Sequence, residues 1–145
     1  QYFASFLAAL MADCFRERLS GLGLEAIVYI PLHPRKQRQR GFCQTQRLAA
    51  KVSETTGLPV LEEVLLHTGR GKAQMSQRTF EDRRKNAARS FDIWEDVDLT
   101  GKRLLLIDDV FTSGRTLDTC ARLLKEQGAE RVWGLTAAIT RSSYG

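Results

Sequence analysis

Asp108 and Asp109 are adjacent carboxylates that directly follow four apolar residues, Leu104 to Ile107, and shortly precede Thr112, Ser113, Gly114, Arg115 and Thr116. A carboxylate buried without a partner is strongly unfavourable, so two of them after an apolar run are expected to project into a wet, functional crevice. The hydroxyls and the glycine come just before a helical pattern, Leu117, Cys120, Ala121 and Leu124, which closes at Gly128. Backbone N–H groups at a helix start lack intrahelical acceptors, and the helix dipole favours negative charge there, so this turn suits a phosphate. An anion cradle beside two acids fits a ligand with an anionic end and a hydroxylated or metal-bound middle, as in a sugar phosphate. The alternative is a plain strand-turn-helix whose acids only cap the helix, although a cap needs one acceptor and not two.

The elements that must position these residues follow from periodicity. Leu104 to Ile107, apolar without alternation, predicts a parallel strand buried on both faces and ending on the two acids. Phe6, Leu7, Leu10, Met11, Cys14, Phe15 and Leu19 recur at helical spacing, and Gly21 and Gly23 end that helix. Ala26 to Ile30 predicts the first parallel strand, stopped by Pro31 and Pro34. The stretch from Pro31 to Gln44 holds Arg35, Lys36, Arg38 and Arg40 and no acid, and reads as a basic loop. In an open α/β sheet that loop shares a rim with Asp108 and Asp109. Its composition equally fits a solvated turn or a patch for nucleic-acid phosphates.

A second helix is expected from Phe42 to Thr56, with Leu48, Ala49 and Val52 on one face, and a strand from Leu61 to His67. His67 reads as a strand-end residue, because no nucleophile motif accompanies it, and His33 lies in a loop between prolines. Gly69 to Met75 is glycine-rich and basic and reads as mobile. Ser76 would cap a short helix toward Asn86, with Arg83, Arg84 and Lys85 at a basic end that complements the helix dipole. Ser90 to Trp94 predicts an edge strand and Arg131 to Ile139 a further parallel one. The fold class is therefore α/β, a mainly parallel sheet flanked by helices.

The 145 residues make about one domain with a real core, and 43% hydrophobic with 27% charged residues is ordinary for a globular chain. A net charge of +5 points to anionic partners, polyphosphate or nucleic acid, without choosing between them. Cys14, Cys43 and Cys120 are odd in number and widely spaced, which suggests neither a disulfide framework nor a zinc site, and a reduced, cytoplasmic setting is the default expectation. The chain opens on Gln1 in a helical pattern, so a fragment lacking an N-terminal segment is expected. No stretch has the length of a membrane span.

The run from Leu104 to Thr116 resembles the signature of type I phosphoribosyltransferases. Pro31-Leu-His-Pro-Arg35, Arg40-Gly-Phe-Cys-Gln44, Gln77-Arg78, Arg83 to Asn86, Phe91 and Trp133-Gly-Leu-Thr136 resemble the competence protein F family in order and spacing, from Ile27 to Thr140. The resemblance implies a type I phosphoribosyltransferase-like fold that binds phosphoribosyl pyrophosphate (PRPP) with Mg²⁺. Asp108 and Asp109 would be the catalytic pair on the ribose hydroxyls, Thr112, Ser113, Gly114, Arg115 and Thr116 would hold the 5-phosphate, and Arg35, Lys36 and Arg40 the pyrophosphate. Arg83 and Arg84 would sit on a flexible loop that closes over the ligand. The family is associated with DNA uptake in natural transformation, and its members commonly carry an N-terminal zinc-binding cysteine cluster that this chain lacks. Two positions depart from the pattern. Cys43 stands where Asn is common, which would loosen a hydrogen bond in the pyrophosphate loop, and Arg115 stands where a small residue is common, which adds charge beside the phosphate. The competing expectation is a non-catalytic accessory on the same fold that binds single-stranded DNA or a DNA-uptake helicase. The basic residues of 35–47 and 70–89 motivate it, while Trp94 and Trp133 are not interleaved with them to form a stacking platform.

Overall fold

Leu104, Leu105, Leu106 and Ile107 are fully buried in a computed structural model that describes residues 2–69, 90–111 and 114–139. They can be so because helices cover both faces of the strand they form. Alternation along that strand divides them between two hydrophobic clusters: Leu105 and Ile107 pack with Met11, Phe15, Leu48 and Val52, and Leu104 and Leu106 with Val28, Phe91, Cys120 and Leu124.

In chain order the elements are α1 (Tyr2–Cys14), β1 (Ala26–Tyr29), α2 (Pro34–Arg40), α3 (Gln44–Thr56), β2 (Leu65–His67), β3 (Phe91–Ile93), β4 (Arg103–Phe111), α4 (Arg115–Glu126) and β5 (Arg131–Ile139). A π-helical turn, Phe15–Leu19, and a 3-10 turn, Ser20–Leu22, complete the first helical segment. The main sheet has the order β1-β4-β5, and both pairings are parallel. Val60 adds an isolated parallel bridge to Ile27, with Leu61 N donating to Ile27 O at 2.9 Å. Strands β2 and β3 form a separate antiparallel pair in which His67 lies opposite Phe91. The α/β class, with a parallel sheet flanked by helices, is as the periodicity predicts.

Three local expectations are corrected. The strand does not end on its two acids: β4 runs on to Phe111, because its register with β5 continues to Phe111 opposite Ile139. The basic stretch is not wholly loop, since Pro34 at the first helical turn, a His33 cap and Gly41 at φ 74° delimit the helix α2 within it. The strand expected from Leu61 begins only at Leu65, after Glu63 takes a positive φ of 55°.

Candidate functional site

Tyr29 lies opposite Ile107 in register, and Ile30 N donates to Ile107 O at 2.9 Å. The segments leaving β1 and β4 therefore start from the same rim of the sheet. Asp108 is only 8% exposed, on the side of Cys120, and its Oδ1 accepts the backbone N–H of Asp109 at 2.8 Å. Burial pushes the Asp108 carboxyl up to about 7, and the neighbouring Asp109 carboxyl adds to the rise against the opposing pull of that N–H. Asp109 is half-buried. Burial thus favours the neutral form of Asp108, a carboxyl that can donate as well as accept a hydrogen bond. Burial also pushes the Cys120 thiol up to about 12, with Asp108 nearby, which makes it a core residue and not a nucleophile.

Gly114 is the N-cap of α4, in the left-handed region at φ 79°, and it supplies no side-chain cap. A helix start with a glycine N-cap is of the kind that suits an anion. Arg115 and Thr116 in that first turn are exposed. After β1, Arg35, Lys36, Arg38 and Arg40 are all exposed on α2, and none of them enters an ion pair among the described residues. Thr112, Ser113, Arg83 and Arg84 lie outside the described residues. So do the expected mobile stretch after Gly69 and the short helix begun by Ser76.

Cys43, at the N-cap of α3, makes no capping bond; its Sγ lies 3.2 Å from Thr45 Oγ1, which in turn donates to Ile30 O. Sequence reasoning missed three contacts, the first and last of which join segments remote in sequence. Tyr29 donates to Glu62 Oε2 at 2.6 Å, Arg47 lies 3.9 Å over the Phe42 ring, and His33 meets His67 with ring centroids 4.8 Å apart. The capping role of His33 had a signal, because Pro34 directly after it marks a first helical turn.

Among the described residues no group of three or more His, Cys, Asp or Glu is placed to hold a metal, and the cysteines are free. At this rim Asp108 and Asp109 offer carboxylate oxygens, too few to hold a Mg²⁺ alone, which fits an ion that takes most of its ligands from a polyphosphate and water; the cations of α2 are not metal ligands. No helix among the described residues is long and apolar enough to cross a membrane.

A parallel sheet with paired acids and a glycine-led helix start on one rim defines a class of nucleotide- and sugar-phosphate-handling domains. The family model for the phosphoribosyl transferase domain matches residues 46–143, and the chain belongs to that family. Within it, the chain is 34% identical over 119 residues to competence protein F of Haemophilus influenzae, covering 79% of this chain and 51% of that protein. It is 34% identical over 130 residues to competence protein ComFC of Streptococcus pneumoniae, covering 90% of this chain and 51% of that protein. The chain thus spans about half the length of these curated relatives. A solved purine phosphoribosyltransferase from Pyrococcus horikoshii shares the fold, with a TM-score of 0.57 at 14% identity over 97% of this chain and 83% of that one.

Proposed function

We propose that this domain binds PRPP with Mg²⁺ and acts on it as a phosphoribosyltransferase in the handling of incoming DNA. The observation that carries the reading is the joint placement of Asp108 and Asp109 near the carboxyl end of β4 and of the α4 start, with its Gly114 N-cap, that follows β4 in the chain. In this reading the acid pair orients the ribose hydroxyls. The 112–116 turn takes the 5-phosphate, and Arg35, Lys36 and Arg40 take the pyrophosphate. Mg²⁺, when bound, would neutralise the pyrophosphate charge. Loss of pyrophosphate breaks the anomeric C–O bond and leaves an oxocarbenium-like ribosyl group, whose positive charge the acid pair would favour when ionised, for a nucleophile to capture. Closure of the segment that holds Arg83 and Arg84 would exclude competing water. The link to DNA rests on the names of the curated relatives, which are competence proteins.

Calorimetric titration with PRPP and Mg²⁺ tests the reading. Binding to the native chain and none to the folded Asp108→Asn/Asp109→Asn variant is the expected result. Equal binding by the double variant would refute the assigned ribose site, and no binding by the native chain would leave the motif as scaffold only.

A second reading, a non-catalytic binder of single-stranded DNA or of a DNA-uptake helicase, draws on one structural observation. The exposed cations of α2 lead directly into the Arg47–Phe42 stack. Steep loss of affinity with salt would be its mark.

A further inference from the structure

His33 and His67 are the two histidines of the chain, and their rings meet edge to face at an interplanar angle of 60°. Each commits the same atom to the backbone. His33 Nδ1 accepts the N–H of Arg35 at 3.0 Å, and His67 Nδ1 accepts the N–H of Gly69 at 3.0 Å. A ring nitrogen that accepts carries no proton, so both imidazoles are neutral, with the proton on Nε2. Phe91 closes the other side of His67 at a centroid distance of 4.7 Å. Gly69, at φ 72°, lies so near α2 that a Cβ on it would be 3.8 Å from Pro34 Cγ. The end of β2 therefore docks on the first turn of α2 through two neighbouring pairs, His67 with His33 and Gly69 with Pro34.

Helix α2 has seven residues and none of them is buried, so neither its length nor a hydrophobic face can hold it in place. Among the described residues, the His33 cap and the docking of β2 hold its first turn. We propose that His33 and His67 form an acid-opened latch that holds α2, and with it Arg35 and Lys36, against the β2–β3 hairpin. This adds regulation to the polyphosphate site proposed above and rests on that reading only for what the latch serves.

Among the described residues, the charges that act on His67 oppose a proton there. Lys36 and His33 face His67 from the α2 side, and Phe91 faces it from β3. Asp92, the nearest acid along β3, lies opposite Leu66, and strand alternation turns it to the other face. Burial first, and then His33 and Lys36, hold the His67 imidazole below its ordinary range. A proton on either Nδ1 removes an acceptor from the backbone and sets a cation against the other ring. Acidification thus uncaps α2 and undocks the hairpin together.

The test follows the backbone amides of Arg35 and Gly69 by NMR across an acid titration of the unliganded chain. Both should lose their hydrogen-bonded signature in one shared transition. In His33→Asn, the His67 imidazole should titrate at a higher pH than in the native chain, because the opposing His33 charge is gone. In His33→Asn, which caps a helix without titrating, the Arg35 amide should stay bonded at acid pH. Separate transitions of the two amides, or a His67 titration unmoved by His33→Asn, would overturn the latch. Titration with Mg²⁺ and inorganic pyrophosphate then reads its consequence. On going from about pH 7.5 to about pH 5.5, the native chain should lose about fivefold more affinity than His33→Asn, the scale of one helix cap. Protonation of pyrophosphate itself is common to both proteins and cancels. Failure of any form to bind pyrophosphate would refute the polyphosphate reading, while the amides alone still decide the latch.

Discussion

Asp108 carries an acid where the four residues before it carry hydrocarbon, and its environment is nearly theirs: it is 8% exposed, against 0% for each of them. The fold therefore favours its neutral form. In the unfolded chain the group ionises at the ordinary 3.8, whereas in the folded chain it is pushed up to about 7. Between those values the folded state holds more proton, so stability falls as pH rises through the window and is lowest above it. Asn at this position keeps the oxygen that accepts the Asp109 N–H and never ionises. Asp108→Asn should consequently raise stability at about pH 8 by roughly 1–2 kcal/mol, and the gain should vanish near about pH 3. Urea unfolding at the two pH values checks this. Equal effects at both would mean that the carboxyl is not held neutral by burial. A gain in stability together with a loss of ligand binding would be the mark of a functional group placed at a structural cost.

At the scale of elements, the loop that joins α4 to β5 depends on one glycine. Gly128 has φ 109°, and a Cβ on it would lie 3.1 Å from Thr100 Cα and 3.0 Å from Thr100 Oγ1. Gly101, across the same junction, has φ 74° with nothing within 4 Å of such a Cβ, and its N–H donates to Gly128 O at 3.0 Å. Ala at 101 should cost about 1 kcal/mol of conformational strain, and Ala at 128 on the order of 2–3 kcal/mol, because backbone must also move. Thermal unfolding of the two variants should rank them in that order, and equal shifts would show that the Thr100 contact relaxes freely.

Gly128 also shows what the sequence can disclose. A glycine after a periodic run announces a helix end, and Leu117, Cys120, Ala121 and Leu124 announce the helix itself. Helix α2 was less legible, because Arg, Lys and Gln favour helix without leaving an apolar stripe, and only Pro34 and Gly41 mark its ends. The length of β4 past its acids was hidden for another reason: pairing with β5 fixes it, and a partner strand is invisible in local sequence.

Across the whole molecule, the apolar residues that build two layers on β4 were readable as periodicity, and so was the acid pair near its end. The His33–His67 contact was not, since it joins segments remote in sequence and depends on how the β2–β3 hairpin sits on α2. The net charge of +5 was readable as a total, whereas its disposition is a property of the fold. Arg35, Lys36, Arg38 and Arg40 stand together on one exposed helix, unpaired with any acid among the described residues. This disposition separates the two functional readings. A single polyphosphate held by a few charge-assisted bonds uses two or three of these cations and is competed by free pyrophosphate. A single strand of DNA along α2 would engage all four, so the logarithm of its affinity should fall with the logarithm of salt concentration at a slope of about −3. Replacing the four by Gln should then reduce that slope to near zero while the core, which none of them enters, still folds. Fluorescence anisotropy with a labelled oligonucleotide over a salt series measures it. A slope that is shallow in the native chain, or steep and unchanged after the four substitutions, would remove α2 as a DNA-binding surface and leave its charges to the pyrophosphate.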